Sequence, residues 1–183
     1  MPAADVRGRV QRLGGARGRQ NPVGILEQIF QGDQDVRLVV DGQDVVHDVH
    51  EVLDRQRRER PDACALRDHD GVRVTFGALG AAVDALAADL SARGLGPGDR
   101  LLVLAENAAA LVGLILAASR LDAVAVPVNA RMTAPELARI AAHADPRLTV
   151  YLSNVSPPAA GHASDAAAAP WATPLGPLHI TDA

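Results

Sequence analysis

The order of apolar segments between residues 100 and 152 constrains the fold of this chain more than any other feature. Three short apolar runs, at residues 100–104, 123–128 and 148–152, alternate with two longer segments in which apolar residues recur every three or four positions. The short runs are typical of parallel strands that are covered on both faces, and the longer segments are typical of amphipathic helices. Parallel strands and helices in this order are joined by right-handed crossovers. The sequence therefore predicts an α/β fold with a doubly wound, mainly parallel sheet and helices on both faces.

Three helices are predicted, each preceded by a residue that can cap its first turn. They cover residues 76–93 after Thr75, 108–121 after Asn107, and 134–144 after Thr133. A side-chain oxygen at such a position accepts a hydrogen bond from a free backbone N–H group of the first turn. Thr133 is also followed three residues later by Glu136, which predicts a reciprocal capping box. Gly94 is suited to the left-handed conformation that ends many helices.

A short helix and a β-hairpin are predicted before these elements. Val49, Val52 and Leu53 lead into an arginine-rich run, and Pro61 is expected to end the helix that they form. Residues 64–67 and 72–75 are short β runs on either side of a turn-rich tetrapeptide. This arrangement predicts a hairpin.

Composition divides the chain into three regions. Residues 1–43 are an extension rich in Gly, Gln and Arg, and residues 44–152 carry the regular periodicity. Residues 153–183 are rich in Ala and Pro, and we predict that they form loop or linker with at most a short strand near residues 178–180. We interpret this last region as the start of the next segment of the same domain.

Charge and residue usage exclude several functions. The net charge is −4, which argues against general nucleic-acid binding, although residues 1–19 carry five arginines and a single acid, Asp5. Such an arm could contact phosphates, but a solvated tail is the simpler interpretation. All 18 basic residues are arginine. These residues therefore cannot carry out any mechanism that needs a lysine side chain.

Cysteine usage and apolar run length indicate the cellular environment. Cys64 is the only cysteine, which excludes an intrachain disulfide and fits a reducing cytoplasm. We expect it to be a small buried side chain and not a nucleophile. The longest apolar stretch, residues 108–118, is too short to span a membrane, and no secretory signal is visible. A soluble, cytoplasmic protein is expected.

No catalytic, cofactor-binding or metal-binding residue is predicted from the side-chain patterns. The glycines at 94, 96 and 98 follow a helix and precede a strand, whereas a dinucleotide-binding fingerprint follows a strand and opens a helix. His47 and His50 are spaced for one helical face, but no third ligand accompanies them. The acids Asp68, Asp70 and Asp99 are placed in turns, where their carboxylates are expected to accept backbone N–H groups.

A series of short motifs gives the chain a family resemblance. In order, they are Arg60-Pro61-Asp62-Ala63 with Ala65-Leu66, Val74-Thr75-Phe76 with Leu79, Gly94-Leu95-Gly96-Pro97-Gly98-Asp99-Arg100, Glu106-Asn107, the apolar segment 114–121, Ala125-Val126-Pro127-Val128-Asn129, and Thr133 with Glu136-Leu137. Their order and spacing resemble the N-terminal part of the AMP-dependent synthetases and ligases, the adenylate-forming family that includes acyl-CoA synthetases, peptide-synthetase adenylation domains and luciferases. The resemblance covers roughly residues 51–152. It departs from the family pattern at Ala78, where a capping Glu is usual, and at Asp122, where Gly is usual.

The resemblance implies both a fold and a reaction. It implies part of the large N-terminal domain of a ligase that uses ATP, Mg and CoA to convert a small-molecule carboxylate into an acyl-adenylate and then a thioester, as in fatty acid metabolism. The resemblance implies a phosphate-binding loop that ends in a lysine and a second lysine, in a C-terminal domain, that promotes adenylation, and both are expected later in the family's order. We therefore predict an N-terminal fragment that is inactive alone, with possible self-association through an exposed sheet edge. The alternative is a non-catalytic α/β binding or interaction module on the same scaffold.

Overall fold

The computed structural model describes residues 49–68 and 70–182. Within these residues the chain forms five helices, namely α1 (Val49–Glu59), α2 (Phe76–Ala92), α3 (Ala109–Arg120), α4 (Ala134–Ala144) and α5 (Pro157–Asp165). It also forms seven strands, namely β1 (Cys64–Arg67), β2 (Arg73–Thr75), β3 (Arg100–Ala105), β4 (Val124–Asn129), β5 (Leu148–Tyr151), β6 (Ala169–Thr173) and β7 (Gly176–Asp182). His47 and the basic arm at residues 1–19 lie outside the described residues.

The main sheet has five strands in the order β4-β3-β5-β7-β6. Strand β3 pairs in parallel with both β4 and β5, so that Leu102 lies opposite Val126 on one side and Thr149 on the other. The three predicted parallel strands are therefore confirmed as neighbours. Strands β7 and β6 extend the same sheet by antiparallel pairing, which makes the sheet mixed.

Both faces of this sheet are covered by helices, as the sequence predicts. The five residues from Leu101 to Ala105 are all buried, which requires cover on each side. The chain passes from β3 to β4 on one side and then crosses back to β5 on the other, so right-handed crossovers place α3 and α4 on opposite faces. On the α4 face, Leu102 and Leu104 pack with Leu137 of α4 and Ala163 of α5.

The short helix and the hairpin before the sheet are also confirmed. Helix α1 ends at Glu59, shortly before Pro61, and strands β1 and β2 pair antiparallel. Cys64 is half-buried, and its thiol donates to the carbonyl of Leu66 at 3.3 Å.

The region 153–183 is not the irregular tail that its composition predicts. It forms α5 and the β6–β7 hairpin, and β7 pairs with β5 inside the main sheet. The prolines are compatible with this structure because Pro157 and Pro158 occupy the first turn of α5, where no N–H group is needed for the helical ladder. The apolar residues Trp171, Leu178 and Ile180 are buried and hold the hairpin on the core.

The predicted helix caps are confirmed for α2 and α4 and wrong for α3. The N–H group of Ala78 donates to the Thr75 hydroxyl at 3.1 Å, and Thr133 forms the capping box with Glu136. Helix α3 starts after Ala108, which makes no side-chain cap, and Asn107 does not cap it. A carboxylate oxygen of Asp68, in the β1–β2 turn, instead accepts the N–H group of Ala109 at 3.0 Å.

Turns before β3 and β4 depend on residues with positive φ. Gly94 follows α2 with φ +87°, and Gly98 has φ +78°. The N–H group of Gly98 donates to the carbonyl of Asp122 at 2.8 Å, so the two turns support each other. Asp122 itself has φ 53°, a left-handed conformation that favours the glycine usual at this position in the family.

Candidate functional site

The carboxyl ends of the three parallel strands bring three polar side chains together. Glu106 follows β3 directly, Arg131 lies just after β4, and Ser156 lies in the loop between β5 and α5. In open α/β sheets, ligands bind outside the carboxyl ends of the strands, where successive crossovers leave toward opposite faces. The chain leaves β3 toward α3 on one face and leaves β4 toward α4 on the other. This edge is therefore the candidate site.

Glu106 occupies the centre of the site because its carboxylate joins the loops that follow all three strands. Nε of Arg131 donates to Oε1 of Glu106 at 3.0 Å, and the Ser156 hydroxyl lies 3.4 Å from the same oxygen. Ser156 is fully buried and also caps α5, since its hydroxyl accepts the N–H group of Ala159 at 3.3 Å. On the β4 side, the amide oxygen of Asn129 accepts the backbone N–H group of Arg131 at 2.9 Å.

The electrostatics of the site follow from the Glu106–Arg131 contact. The hydrogen bond and the positive charge of Arg131 lower the pKa of Glu106, and the contact raises the pKa of Arg131 in return. Glu106 is therefore ionised at neutral pH and committed to its partner. This state suits a structural acceptor, whereas a general base needs a pKa near the working pH.

Arg131 is the member of the site that can meet a ligand. Its side chain is 72% exposed, and only its Nε bonds to a side chain within the described residues. The terminal amino groups of a guanidinium are planar donors, which carboxylate and phosphate groups can accept as a pair. The site can therefore bind an anionic group. It shows no arrangement for activating a nucleophile.

Two histidines lie near the same edge without completing a catalytic site. Nδ1 of His179 in β7 lies 2.7 Å from the Ser153 hydroxyl, and Nε2 of His162 lies 3.0 Å from the carbonyl of Met132. Among the described residues no carboxylate bonds to either imidazole, so neither is oriented as a general base. Both contacts tie the loop after β5 and helix α5 to neighbouring elements.

Three polar residues considered as site candidates in the sequence form hydrogen bonds to other groups of the protein. Asp70 accepts the N–H group of Val72 and Asp99 accepts that of Gly96, both at 2.9 Å, as predicted for acids in turns. His50 bonds to the Ser119 hydroxyl at 3.0 Å. In the part of the chain that the structure describes, no three His, Cys, Asp or Glu side chains are grouped closely enough to hold a metal ion.

Glu106, Arg131 and Ser156 were not predicted from the sequence to be members of one site. The available signal was positional, because Glu106 and Arg131 follow predicted strands within a few residues, and parallel strands end at the same edge. Nothing local in the sequence indicates that Ser156 reaches Glu106, 50 positions away.

The fold is that of an open α/β protein with a candidate site at the carboxyl edge of its sheet, and comparison with known proteins identifies its family. The chain belongs to the AMP-binding enzyme family, whose model matches residues 53–175, more than half of the sequence. The family resemblance found in the sequence is thereby confirmed.

Individual relatives agree with this assignment. The chain is 35% identical over 80 residues to the long-chain-fatty-acid–CoA ligase FadD13 of Mycobacterium tuberculosis, covering 44% of this chain and 16% of the relative. It is 40% identical over 83 residues to a feruloyl-CoA synthase of an Amycolatopsis species, covering 45% of this chain and 17% of the relative. The chain thus spans about a sixth of the length of these two curated relatives.

Solved structures show the same fold. The inhibitor-bound N-terminal domain of FACL13 from Mycobacterium tuberculosis superposes with a TM-score of 0.53 at 30% identity, covering 55% of this chain and 25% of that one. Among the described residues no helix is both long and apolar enough to cross a membrane.

Proposed function

We propose that this chain supplies the first part of the large domain of an ATP-dependent acyl-CoA ligase. The observation that carries the proposal is the family match over residues 53–175, which coincides with the parallel strands and their carboxyl edge. The chain would contribute the scaffold at the front of the domain and the exposed guanidinium of Arg131. The groups that act on ATP would come from later segments of the family's order.

The reaction of the complete enzyme would have two steps. A carboxylate oxygen of the acid attacks the α-phosphorus of ATP, which forms an acyl-adenylate and releases pyrophosphate. The thiol of CoA then attacks the acyl carbon, which forms the thioester and releases AMP. The matched relatives are named for a long-chain fatty acid and for ferulic acid, so we propose an acid with a large apolar or aromatic part. We place this enzyme in the cytoplasm, which suits the single cysteine of these 183 residues.

These 183 residues alone would not activate a carboxylate. The transferring phosphoryl group develops negative charge that preorganised donors and cations must stabilise. The sequence contains no lysine, and the one anion-binding side chain at the candidate site, Arg131, lies outside any glycine-rich loop.

The test is ATP–pyrophosphate exchange with the purified 183-residue chain and a panel of fatty and aromatic acids. We expect exchange no greater than with heat-denatured protein. A longer polypeptide that joins this chain to the remaining segments of a related ligase is the positive control, and it should exchange. Acid-dependent exchange that co-purifies with the 183-residue chain would show that it carries an active site of its own.

The alternative is a non-catalytic binding or interaction module, and the contacts within the candidate site support it. Glu106 and Arg131 form an ion pair, and Ser156 is fully buried, so none of the three is arranged to activate a nucleophile. If the joined polypeptide were inactive while the isolated chain melted cooperatively as a monomer, this reading would replace the ligase proposal.

A further inference from the structure

Helix α1 buries little apolar surface against the rest of the protein. Its buried residues are Val49, Leu53 and Gln56, and one of these three is polar. The other positions are half-buried or exposed, and most of them are charged or polar. Apolar burial is the main source of helix docking energy in water. Contacts of another kind must therefore contribute to holding α1 against α2 and α3.

Those contacts are a chain of alternating charges that runs across three helices. Arg120, at the end of α3, contacts Asp54 of α1 at 2.6 Å and Asp84 of α2 at 3.4 Å. Asp84 also contacts Arg57 of α1 at 2.6 Å. In the order Asp54, Arg120, Asp84, Arg57, the first and last residues belong to α1. Helix α1 is therefore held at two points, by Arg120 of α3 and by Asp84 of α2. We call these four residues the charge clamp.

Packing around the charge clamp fixes its geometry. Gly80 of α2 lies directly under Arg57, because a Cβ atom at Gly80 would be 2.5 Å from Cδ of Arg57. The absence of a side chain there lets the arginine stem lie flat on α2 and reach Asp84. Beside the clamp, Nδ1 of His50 bonds to the Ser119 hydroxyl at 3.0 Å and gives α1 a second link to α3.

The clamp is accessible to dissolved ions. The side chains of Asp54 and Arg120 are 27% and 26% exposed, and those of Arg57 and Asp84 are 36% and 45% exposed. Single exposed ion pairs contribute little, but linked pairs share the entropic cost of ordering each side chain. High salt weakens these partly exposed pairs, since the Debye length falls from about 10 Å at 0.1 M to about 3 Å at 1 M, which is close to the 2.6 Å and 3.4 Å contacts of Arg120.

We propose that α1 is a detachable helix whose docking is controlled by the charge clamp, so that ionic strength decides whether α1 covers α2 and α3. The parallel strands and the helices on the sheet keep their structure when α1 leaves, because their cores are apolar and continuous. The inference is independent of the proposed ligase reaction. It assigns a conformational device to the front of the fold.

The experiment is hydrogen exchange of the full chain, measured by mass spectrometry at about 0.1 M and about 1 M sodium chloride. We expect exchange in residues 53–59 to rise by about fivefold or more at high salt, while exchange in β3 and β5 stays within about twofold. Equal protection of α1 at both salt concentrations would overturn the proposal. A parallel rise in β3 and β5 would also overturn it, because α1 would then open only with the whole protein.

Charge variants separate the clamp from general effects of charge on α1. In Asp54→Asn, residues 53–59 should exchange at low salt as fast as they do in the unsubstituted chain at high salt. Asp54→Glu keeps the charge and should retain most of the protection. Glu59→Gln is the matched control, since Glu59 lies on the same helix and forms no ion pair with any described residue. Equal exchange in Asp54→Asn and Glu59→Gln would refute a role for the clamp.

Discussion

At the scale of single residues, two helical glycines differ in whether the structure has room for a side chain in their place. Gly113 of α3 lies against the β6–β7 turn, and a Cβ atom there would overlap Cδ1 of Leu175 and lie 3.1 Å from Cδ1 of Leu86. Gly161 of α5 has no atom within 4 Å of the place where a Cβ atom would be. Glycine therefore allows close packing in α3, whereas in α5 it only lowers the helix propensity.

Alanine at these two positions should change stability in opposite directions. Gly113→Ala should lower the free energy of unfolding by about 1–2 kcal/mol, since overpacking outweighs the gain in helix propensity. Gly161→Ala should raise it by about 0.5–1 kcal/mol, because the helix gains propensity without a clash. Urea denaturation followed by circular dichroism measures both changes.

Leu175→Ala provides the control for the first variant. In the Leu175→Ala background, Gly113→Ala should lower the free energy of unfolding by less than it does alone, because the overlapping methyl group is gone. A stabilising effect of Gly113→Ala in the original background would contradict the packing that the structure shows.

At the scale of elements, the β1–β2 hairpin helps to start a helix that is distant in the sequence. Asp68 accepts the N–H group of Ala109 across 41 positions, whereas the adjacent Asn107 makes no cap. Strand β7 similarly joins the sheet beside β5, and the indole N–H group of Trp171 reaches Asp89 of α2 at 3.1 Å. Elements that look peripheral in the sequence therefore complete the central unit.

Replacing the two candidate caps of α3 tests this arrangement. Asp68→Ala should lower the free energy of unfolding by about 1 kcal/mol, because it removes the side-chain acceptor of Ala109. Asn107→Ala should change it by less than about 0.5 kcal/mol, since Asn107 makes no cap. Thermal and urea unfolding of the two variants give the comparison.

Asp68→Asn keeps an oxygen acceptor and should retain most of the stability. If Asn107→Ala proved as costly as Asp68→Ala, the cap predicted from local sequence would be the operative one in solution.

At the scale of the whole molecule, the outer edges of the main sheet are where we expect copies of the chain to meet. Among the described residues, strands β4 and β6 are the two outer strands, and each contains a proline. The N–H group of Val124 points toward β3, where it donates to the carbonyl of Asp99, so the backbone of Pro127 faces the open edge in the alternation of a parallel strand. A proline there removes a donor that a second strand would need.

Restoring that donor should promote self-association. Pro127→Val adds an N–H group at the middle of the β4 edge together with a residue of high β propensity, so we expect a larger dimeric or aggregated fraction. Size-exclusion chromatography with light scattering over a range of concentrations measures the fraction.

Pro174→Val is the matched control, because Pro174 lies in the turn between β6 and β7 and not in an edge strand. Association unchanged by Pro127→Val, or raised equally by both variants, would show that copies of this chain meet through another surface. The apolar residues only partly covered on the α4 face, including Met132 and Ile140, would then be the next surface to examine.

The sequence by itself determined the order of the helices and strands between residues 49 and 152. Apolar periodicity, the Thr75 cap, the Thr133–Glu136 capping box and the turn at Gly94 depend on residues within one or two turns of each other. Such signals can be read without knowing the fold. The motifs of the family run along the same elements, which is why the fold class and the family were both predictable.

The tertiary structure alone decided how distant parts complete one another. Proline and alanine content suggested a loop after residue 152, but Trp171, Leu178 and Ile180 are buried once β7 pairs with β5, and that burial outweighs local propensity. The cluster around Glu106 depends on the fold in the same way, since its contact with Ser156 spans 50 positions. Residues so far apart in the chain meet only after the parallel strands have aligned their carboxyl ends, so no local pattern in the sequence records the contact.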